Sequence, residues 1–234
     1  EARAEPGSVA ERLSGAELRE RAQGSLGETL DRLPGVSSSY FGPQASRPIV
    51  RGLDGERVPV LSNGAASHDV SALSPDHAVT TEPLLAERVE VLRGPAALLY
   101  GPNAVGGVVN VQDGRIPRER IDSVQGRVQL QGASGNRERS AAAVLETGNG
   151  TQAWHVDAFE RNSGDVRVPN AAGRIPNSAA TASGGAVGMS HFGEGMRLGL
   201  SASTWRSSYG TVAEDDTRIG MRSDRLGWEG EWRS

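Results

Sequence analysis

Asp76 and His77 are adjacent side chains whose types suit metal chemistry. A carboxylate and a neutral imidazole both bind Zn2+ well, and a complete site takes three or four such ligands. His68 and Asp69 form a second pair of the same kind eight residues earlier. The plainer reading of both pairs is that polar surface loops hold such residues by composition alone. His155 and His191, the remaining histidines, sit in alternating patterns and read as ordinary residues of a strand face. No Ser-His-Asp order, phosphate-binding loop or pair of catalytic carboxylates is present. The glycines at 101, 106 and 107 lack the spacing of a dinucleotide fingerprint. A metal-dependent hydrolase built on Asp76 and His77 would need further ligands and a general base, and none stands at suitable spacing. The chain is not read as an enzyme.

The elements that must position Asp76 and His77 lie on both sides of an irregular polar stretch, residues 63–82. Ser74-Pro75-Asp76 within it predicts a helix start, with Ser74 as cap and Pro75 in the first turn. Upstream, residues 47–52 and 57–61 predict two strands joined by a turn at Asp54-Gly55. Earlier still, Ser14 to Glu17 and Ser25 to Glu28 each have capping-box spacing, and each precedes a short amphipathic turn. Pro34-Gly35 ends the second helix, and the first nine residues carry no pattern.

Downstream comes ERVEVLRGPAALLYGPNAVGGVVN, residues 87–110. Arg88 to Leu92 alternates with period two, as a half-buried strand does. Gly94-Pro95 breaks the strand and predicts one short helix to Tyr100. Gly101 ends the helix, Gly106-Gly107 permits backbone that other residues avoid, and a second strand runs through Asn110. This run, long and free of gaps, resembles the plug-domain signature of TonB-dependent outer-membrane receptors. Glu90, Gly94, Pro95, Tyr100, Gly101, Gly106, Gly107 and Asn110 carry the likeness. LGETLDRLPGVSSS, and IVRG followed by VPVLSNG, are also similar to that pattern.

The resemblance implies an α+β plug over residues 1–118, a small mixed sheet with short helices. It implies that Arg51 and Arg93 face acidic residues on an inner barrel wall, whereas the residues alone read as solvated arginines. The polar run ending Ser-Pro-Asp-His-Ala looks most like the zinc-importing branch, which transfers metal binding to Asp76 and His77 with further ligands from the barrel. On this reading Zn2+ is transported ligand, no cofactor is required, and the partners are TonB with its inner-membrane energising complex, outer-membrane lipid, and a metal ion or chelate. The location implied is the outer membrane of a Gram-negative bacterium. A ferric-siderophore or other chelate receptor is the alternative within the family. No TonB-binding segment is recognisable in the first 14 residues.

After Pro117 the texture becomes that of a barrel wall. About six segments alternate apolar with polar residues: 121–131, 138–147, 151–161, 184–192, 196–206 and 217–233. Short turns between some of them and polar stretches at 162–183 and after Tyr209 fit periplasmic turns and extracellular loops. All four Trp lie after position 150, as an aromatic girdle would place them. Six strands do not close around a plug, so residues 119–234 are expected to be the N-terminal, truncated portion of an antiparallel transmembrane β-barrel. A soluble periplasmic β-rich module is the alternative from another class, and it expects these apolar faces to pack on one another.

Bulk composition agrees. The 234 residues include 31 Gly and only 36% hydrophobic residues, which suits many turns and a modest core. All 25 basic residues are Arg, yet the formal charge is −4, so phosphate attraction to nucleic acid has no support. The absence of Cys excludes disulfides and thiolate metal sites.

Overall fold

The computed structural model describes residues 9–67, 70–169 and 173–232. The chain divides into two compact units: residues up to Asp113 with Thr211–Glu214, and Gly114–Gly210 with Asp215 onward.

The first unit is a mixed sheet with short helices. Its elements are β1 (Val9–Ser14), α1 (Gly15–Arg21), α2 (Leu26–Leu30), β2 (Val36–Ser38), β3 (Pro48–Val50), β4 (Val60–Ser62), β5 (Ala65–Ala66), β6 (Arg88–Arg93) and β7 (Val108–Gln112). Five strands form one sheet in the order β1-β6-β7-β4-β5, with β4 and β7 parallel and the other neighbours antiparallel. The core joins Leu13, Leu18, Leu26 and Leu30 to Val50, Val58, Val89, Val91 and Val109, all almost fully buried. At about 25 cal/mol per Å2, such side chains each contribute roughly 1.5–3 kcal/mol. This apolar cluster holds the short strands together.

Local chemistry explains the helices. Ser25 accepts a hydrogen bond from the Glu28 amide at 3.3 Å and returns its hydroxyl to the Glu28 carboxylate, so α2 is capped as expected. Ser14 precedes α1 but makes no side-chain cap bond; it is the last residue of strand β1, which the sequence reading missed. The predicted hairpin of residues 47–52 with 57–61 does not form. β3 pairs with β2, β4 pairs with β7, and the 3-10 helix Gly55–Arg57 separates them. The cause is visible in the backbone: Val109 donates to the Pro59 carbonyl and Gly106 to the Arg57 carbonyl, which draws this segment to β7.

The second unit is a six-stranded antiparallel meander: β8 (Gln125–Ala133), β9 (Glu138–Gly148), β10 (Gln152–Ser163), β11 (Ala180–Phe192), β12 (Met196–Gly210) and β13 (Arg218–Trp232). Alternation along these strands sets one apolar, exposed face against one polar, buried face. Val128, Leu130, Trp154, Val156, Val187, Leu198, Leu200, Leu226, Trp228 and Trp232 lie on the exposed face, Leu226 with 88% of its surface accessible. They are in register across the sheet, Leu200 opposite Trp228 and Val156 opposite both Leu145 and Val187. An exposed apolar face of this kind is what a partial barrel presents on its outside, and among the described residues these side chains do not pack on one another as a buried core. Trp205 departs from the girdle: it points to the opposite face and is 9% exposed. No described helix is long and apolar enough to cross a membrane.

Candidate functional site

The loop that holds Asp76 and His77 starts from a hairpin. Asn63 and Gly64 both take positive φ, 53° and 83°, as a two-residue Asn-Gly turn between β4 and β5 requires. Asn63 also exchanges bonds with Asp113, 2.8 Å from its side-chain nitrogen and 3.2 Å to its side-chain oxygen, which fastens the turn at the end of β7. His68 and Asp69 lie outside the described residues.

From Val70 the chain forms a 3-10 turn, Val70–Ala72, and the amides of Leu73 and Ser74 both donate to the Val70 carbonyl at 3.0 Å. Ser74-Pro75-Asp76 then makes a turn and no helix; the His77 amide donates to the Ser74 carbonyl at 3.1 Å and the chain goes no further round. The Ser74 hydroxyl donates to Asp76 Oδ1, and His77 Nδ1 lies 3.0 Å from the same oxygen. The hydroxyl bond holds the Asp76 carboxyl below the usual carboxylate range, and His77 adds to the effect. Both side chains are partly exposed, 37% for Asp76 and 27% for His77. An ionised carboxylate fixed beside an imidazole is a two-ligand fragment of a metal site. Among the described residues no group of three or more His, Asp or Glu is arranged to hold a metal. The pair therefore supplies at most part of a coordination sphere.

The plug-signature residues have structural tasks. Gly94, at φ 83°, turns β6 into the 3-10 helix Pro95–Tyr100, and Gly101 closes it at φ 128°. Tyr100 packs against the buried cluster of Leu61, Ala97, Ala104 and Val108. A side chain on Gly106 would strike Val58 and Leu53 within 2.9 Å, and one on Gly107 would meet the Leu92 carbonyl at 2.7 Å. Asn110 sits opposite Glu90 in the sheet and accepts from the Gly64 amide at 2.9 Å. Its contacts link β7 to the hairpin that begins the candidate loop. Of the two arginines assigned to wall contacts, Arg51 is exposed at φ 53°, while Arg93 is buried with Glu11 of β1 at 3.7 Å. Arg93 Nε and Nη2 have no hydrogen-bond partner among the described residues.

The polar face of the second unit pairs His155, by alternation an ordinary residue of a strand face, with two carboxylates. His155 meets Glu146 at 3.1 Å through Nδ1 and Asp157 at 3.2 Å through Nε2. Arg115 reaches the same Asp157 at 2.8 Å, and Arg161 pairs with Glu138. Glu229 receives Arg118 and Arg197, each at 2.9 Å. His155 and Asp157 are nearly inaccessible, so these charges are buried in pairs, as burial requires. The spacing of arginines at 115, 118 and 120 just before the strands was the available signal.

Those arginines belong to residues 114–121, which cross the polar face as a strap. The Pro117 carbonyl accepts from the Ser190 hydroxyl at 2.6 Å, and the Gly150 amide donates to the Ile121 carbonyl at 2.8 Å. Arg120 bonds the Gly150 and Gly193 carbonyls and stacks 5.4 Å over the Phe192 ring. The strap lies so close that a Cβ on Gly188 would overlap the Arg115 backbone, and one on Gly199 would overlap Ile116.

Residues 1–108 match the TonB-dependent Receptor Plug Domain family. The Vitamin B12 transporter BtuB of Photobacterium profundum is 38% identical over 103 residues, 43% of this chain and 16% of that protein. Among solved structures, the Copper transporter OprC superposes with a TM-score of 0.76 at 18% identity, covering 93% of this chain and 34% of that one. The ferric yersiniabactin uptake receptor FyuA from Yersinia pestis gives a TM-score of 0.72 at 18% identity, covering 96% of this chain and 38% of that one. This chain thus spans about a third of the length of those structures. The fold is a plug-like mixed sheet with short helices, followed by antiparallel strands of a partial barrel, as in those solved structures.

Proposed function

We propose, for a chain whose residues 1–108 carry a TonB-dependent receptor plug domain, that it is part of an outer-membrane transporter importing zinc under the drive of TonB. The plug closes the barrel, the ligand binds from outside, and work delivered through TonB rearranges the plug to admit it. The protein performs no covalent chemistry. The carrying observation is the Asp76–His77 pair, an ionised carboxylate 3.0 Å from an imidazole on a partly exposed loop. Barrel side chains complete the coordination sphere, which agrees with the pair being only two ligands. The buried Arg93, ion-paired with Glu11 through Nη2 but with no hydrogen-bond partner for Nε among the described residues, supports a further contact to a barrel carboxylate.

The test is zinc binding and zinc-dependent growth with the full-length receptor bearing Asp76→Ala or His77→Ala. Loss of both is expected, and unchanged affinity and uptake would sink the zinc assignment. A metal-chelate cargo is the second reading. It is favoured by the likeness to the ferric yersiniabactin receptor and by loops 164–179 and 211–217, which contain no histidine. On that reading the Asp76 and His77 variants would retain uptake of the chelate.

A further inference from the structure

We infer that Arg47 is the positioning residue of the Asp76–His77 pair, an inference that rests on the zinc reading above. Arg47 is a charged side chain only 3% exposed, in a chain segment remote from the pair in sequence. Its guanidinium forks to three places on two different loops. Nη1 donates to the hydroxyl of Ser71, itself 1% exposed, and Nη2 donates to the carbonyls of Val58 at 3.3 Å and Gly55 at 3.4 Å. A planar fork is what lets one side chain hold both loops at once; an ammonium has no such fixed geometry.

Ser71 is the middle residue of the 3-10 turn Val70–Ala72. The Val70 carbonyl of that turn holds the Ser74 amide at 3.0 Å, and the Ser74 carbonyl holds the His77 amide at 3.1 Å. The Ser74 side chain then fixes Asp76, and Asp76 orients His77. Hydrogen bonds, joined through the Val70–Ser71 peptide and through Ser74 itself, therefore lead from Arg47 to the imidazole. Contact between the two loops is also close: a Cβ on Gly55 would stand 3.2 Å from the Ala72 carbonyl. Among the described residues between β5 and β6 the turn Val70–Ala72 is the one regular element, so this buried guanidinium is the device that replaces a supporting strand or helix. Groups that orient metal ligands from outside the coordination sphere typically change affinity by about 10–100-fold when lost.

The experiment measures Zn2+ binding by calorimetry, and the visible spectrum of bound Co2+, for full-length receptor carrying Arg47→Lys, Ser71→Ala, His77→Ala and Arg47→Lys with His77→Ala. Expected are roughly tenfold weaker zinc binding for Arg47→Lys and Ser71→Ala, an altered Co2+ spectrum, and no further loss when Arg47→Lys is added to His77→Ala. Ser71→Ala removes a single hydroxyl, so it keeps the test valid if Arg47→Lys does not fold. Wild-type zinc affinity and Co2+ spectrum in Ser71→Ala, with binding lost in His77→Ala, would overturn the role of Arg47 and leave the zinc reading standing. Wild-type zinc affinity in His77→Ala would overturn the zinc reading itself, and the inference with it.

Discussion

Arg115 and Asp157 join the strap to the wall: Nε stands 2.8 Å from Oδ2 and Nη2 stands 3.3 Å from Oδ1, a two-pronged ion pair across 42 residues of sequence. The Asp157 side chain is 1% exposed and that of Arg115 19%, so the carboxylate is the member that loses most if the pair is broken. Removing one partner from a buried pair typically costs about 3–5 kcal/mol, because the other charge is left uncompensated. His155 still faces Asp157 at 3.2 Å when Arg115 is gone, so Arg115→Ala should destabilise the full-length protein by only the lower part of that range, about 3 kcal/mol. Asp157→Asn, which removes the buried charge itself, should cost less. Denaturant unfolding in detergent reads the order; equal and small effects would show that the pair does not hold the strap.

The glycine floor beneath the strap gives a second prediction. Gly188→Val and Gly199→Val place side chains where the Arg115 backbone and Ile116 now lie, so the strap must lift. Lifting frees the backbone around Arg115, Arg118 and Arg120 from its bonds to the sheet, so that it can enter the trypsin active site. Cleavage between residues 114 and 121 should rise strongly in both variants and stay low in Gly220→Val, where a Cβ meets nothing within 4 Å.

The lipid-facing band predicts a depth-dependent penalty. Val187→Arg, at the centre of β11 in the row of Leu145, Val156, Ala202 and Leu226, should cost about 2–4 kcal/mol, the range for arginine near a bilayer midplane. Thr181→Arg, toward the end of β11 that leads to loop 164–179, should cost about 0–1 kcal/mol. Reversible unfolding in lipid vesicles measures both, and equal penalties would argue against this orientation of the wall.

The Ser74–Asp76 bond predicts a pH dependence of known sign. Asp76 is shifted down in the folded protein, chiefly by the Ser74 hydroxyl. Its contribution to stability is then fully present above the unfolded carboxylate value of about 3.9 and is lost as pH falls through the lower folded value. Stability of Ser74→Ala should fall below wild type near neutral pH, and the two should converge in strong acid. A gap that widens on acidification would contradict this.

Much of the second unit was legible in the sequence, because a wall with one lipid face writes period two into each strand. β9, β10 and β12 start within one residue of their expected positions, at Glu138, Gln152 and Met196. Period two says only which face a residue occupies. It does not name partners, so His155 read as an ordinary face residue although Glu146 and Asp157 close on both its ring nitrogens. The first unit was legible where backbone demands are severe, as at Gly94, Gly101 and Gly107. Three-residue strands such as β3 and β4 carry too little pattern to fix a partner; bonds from Gly106 and Val109 draw β4 to β7, and the Arg51 amide bonds the Gly35 carbonyl where β3 meets β2. Asp76 and His77 were legible as residue types. The guanidinium of Arg47 behind them was not, since nothing local to its sequence points toward Ser71.

The strap also bears on how the wall comes together. Adjacent hairpins of a meander form from near neighbours in sequence, but the strap's partners are 42, 73 and 111 residues away, at Asp157, Ser190 and Glu229. Contacts of such separation form late. A strand slipped by one residue would turn Gly188, Gly199 or Asp157 to the lipid side and present bulky or apolar groups in their place. The strap cannot seat on such a surface, so its docking works as a register check on β10 to β13 that is completed only when all four strands are in step.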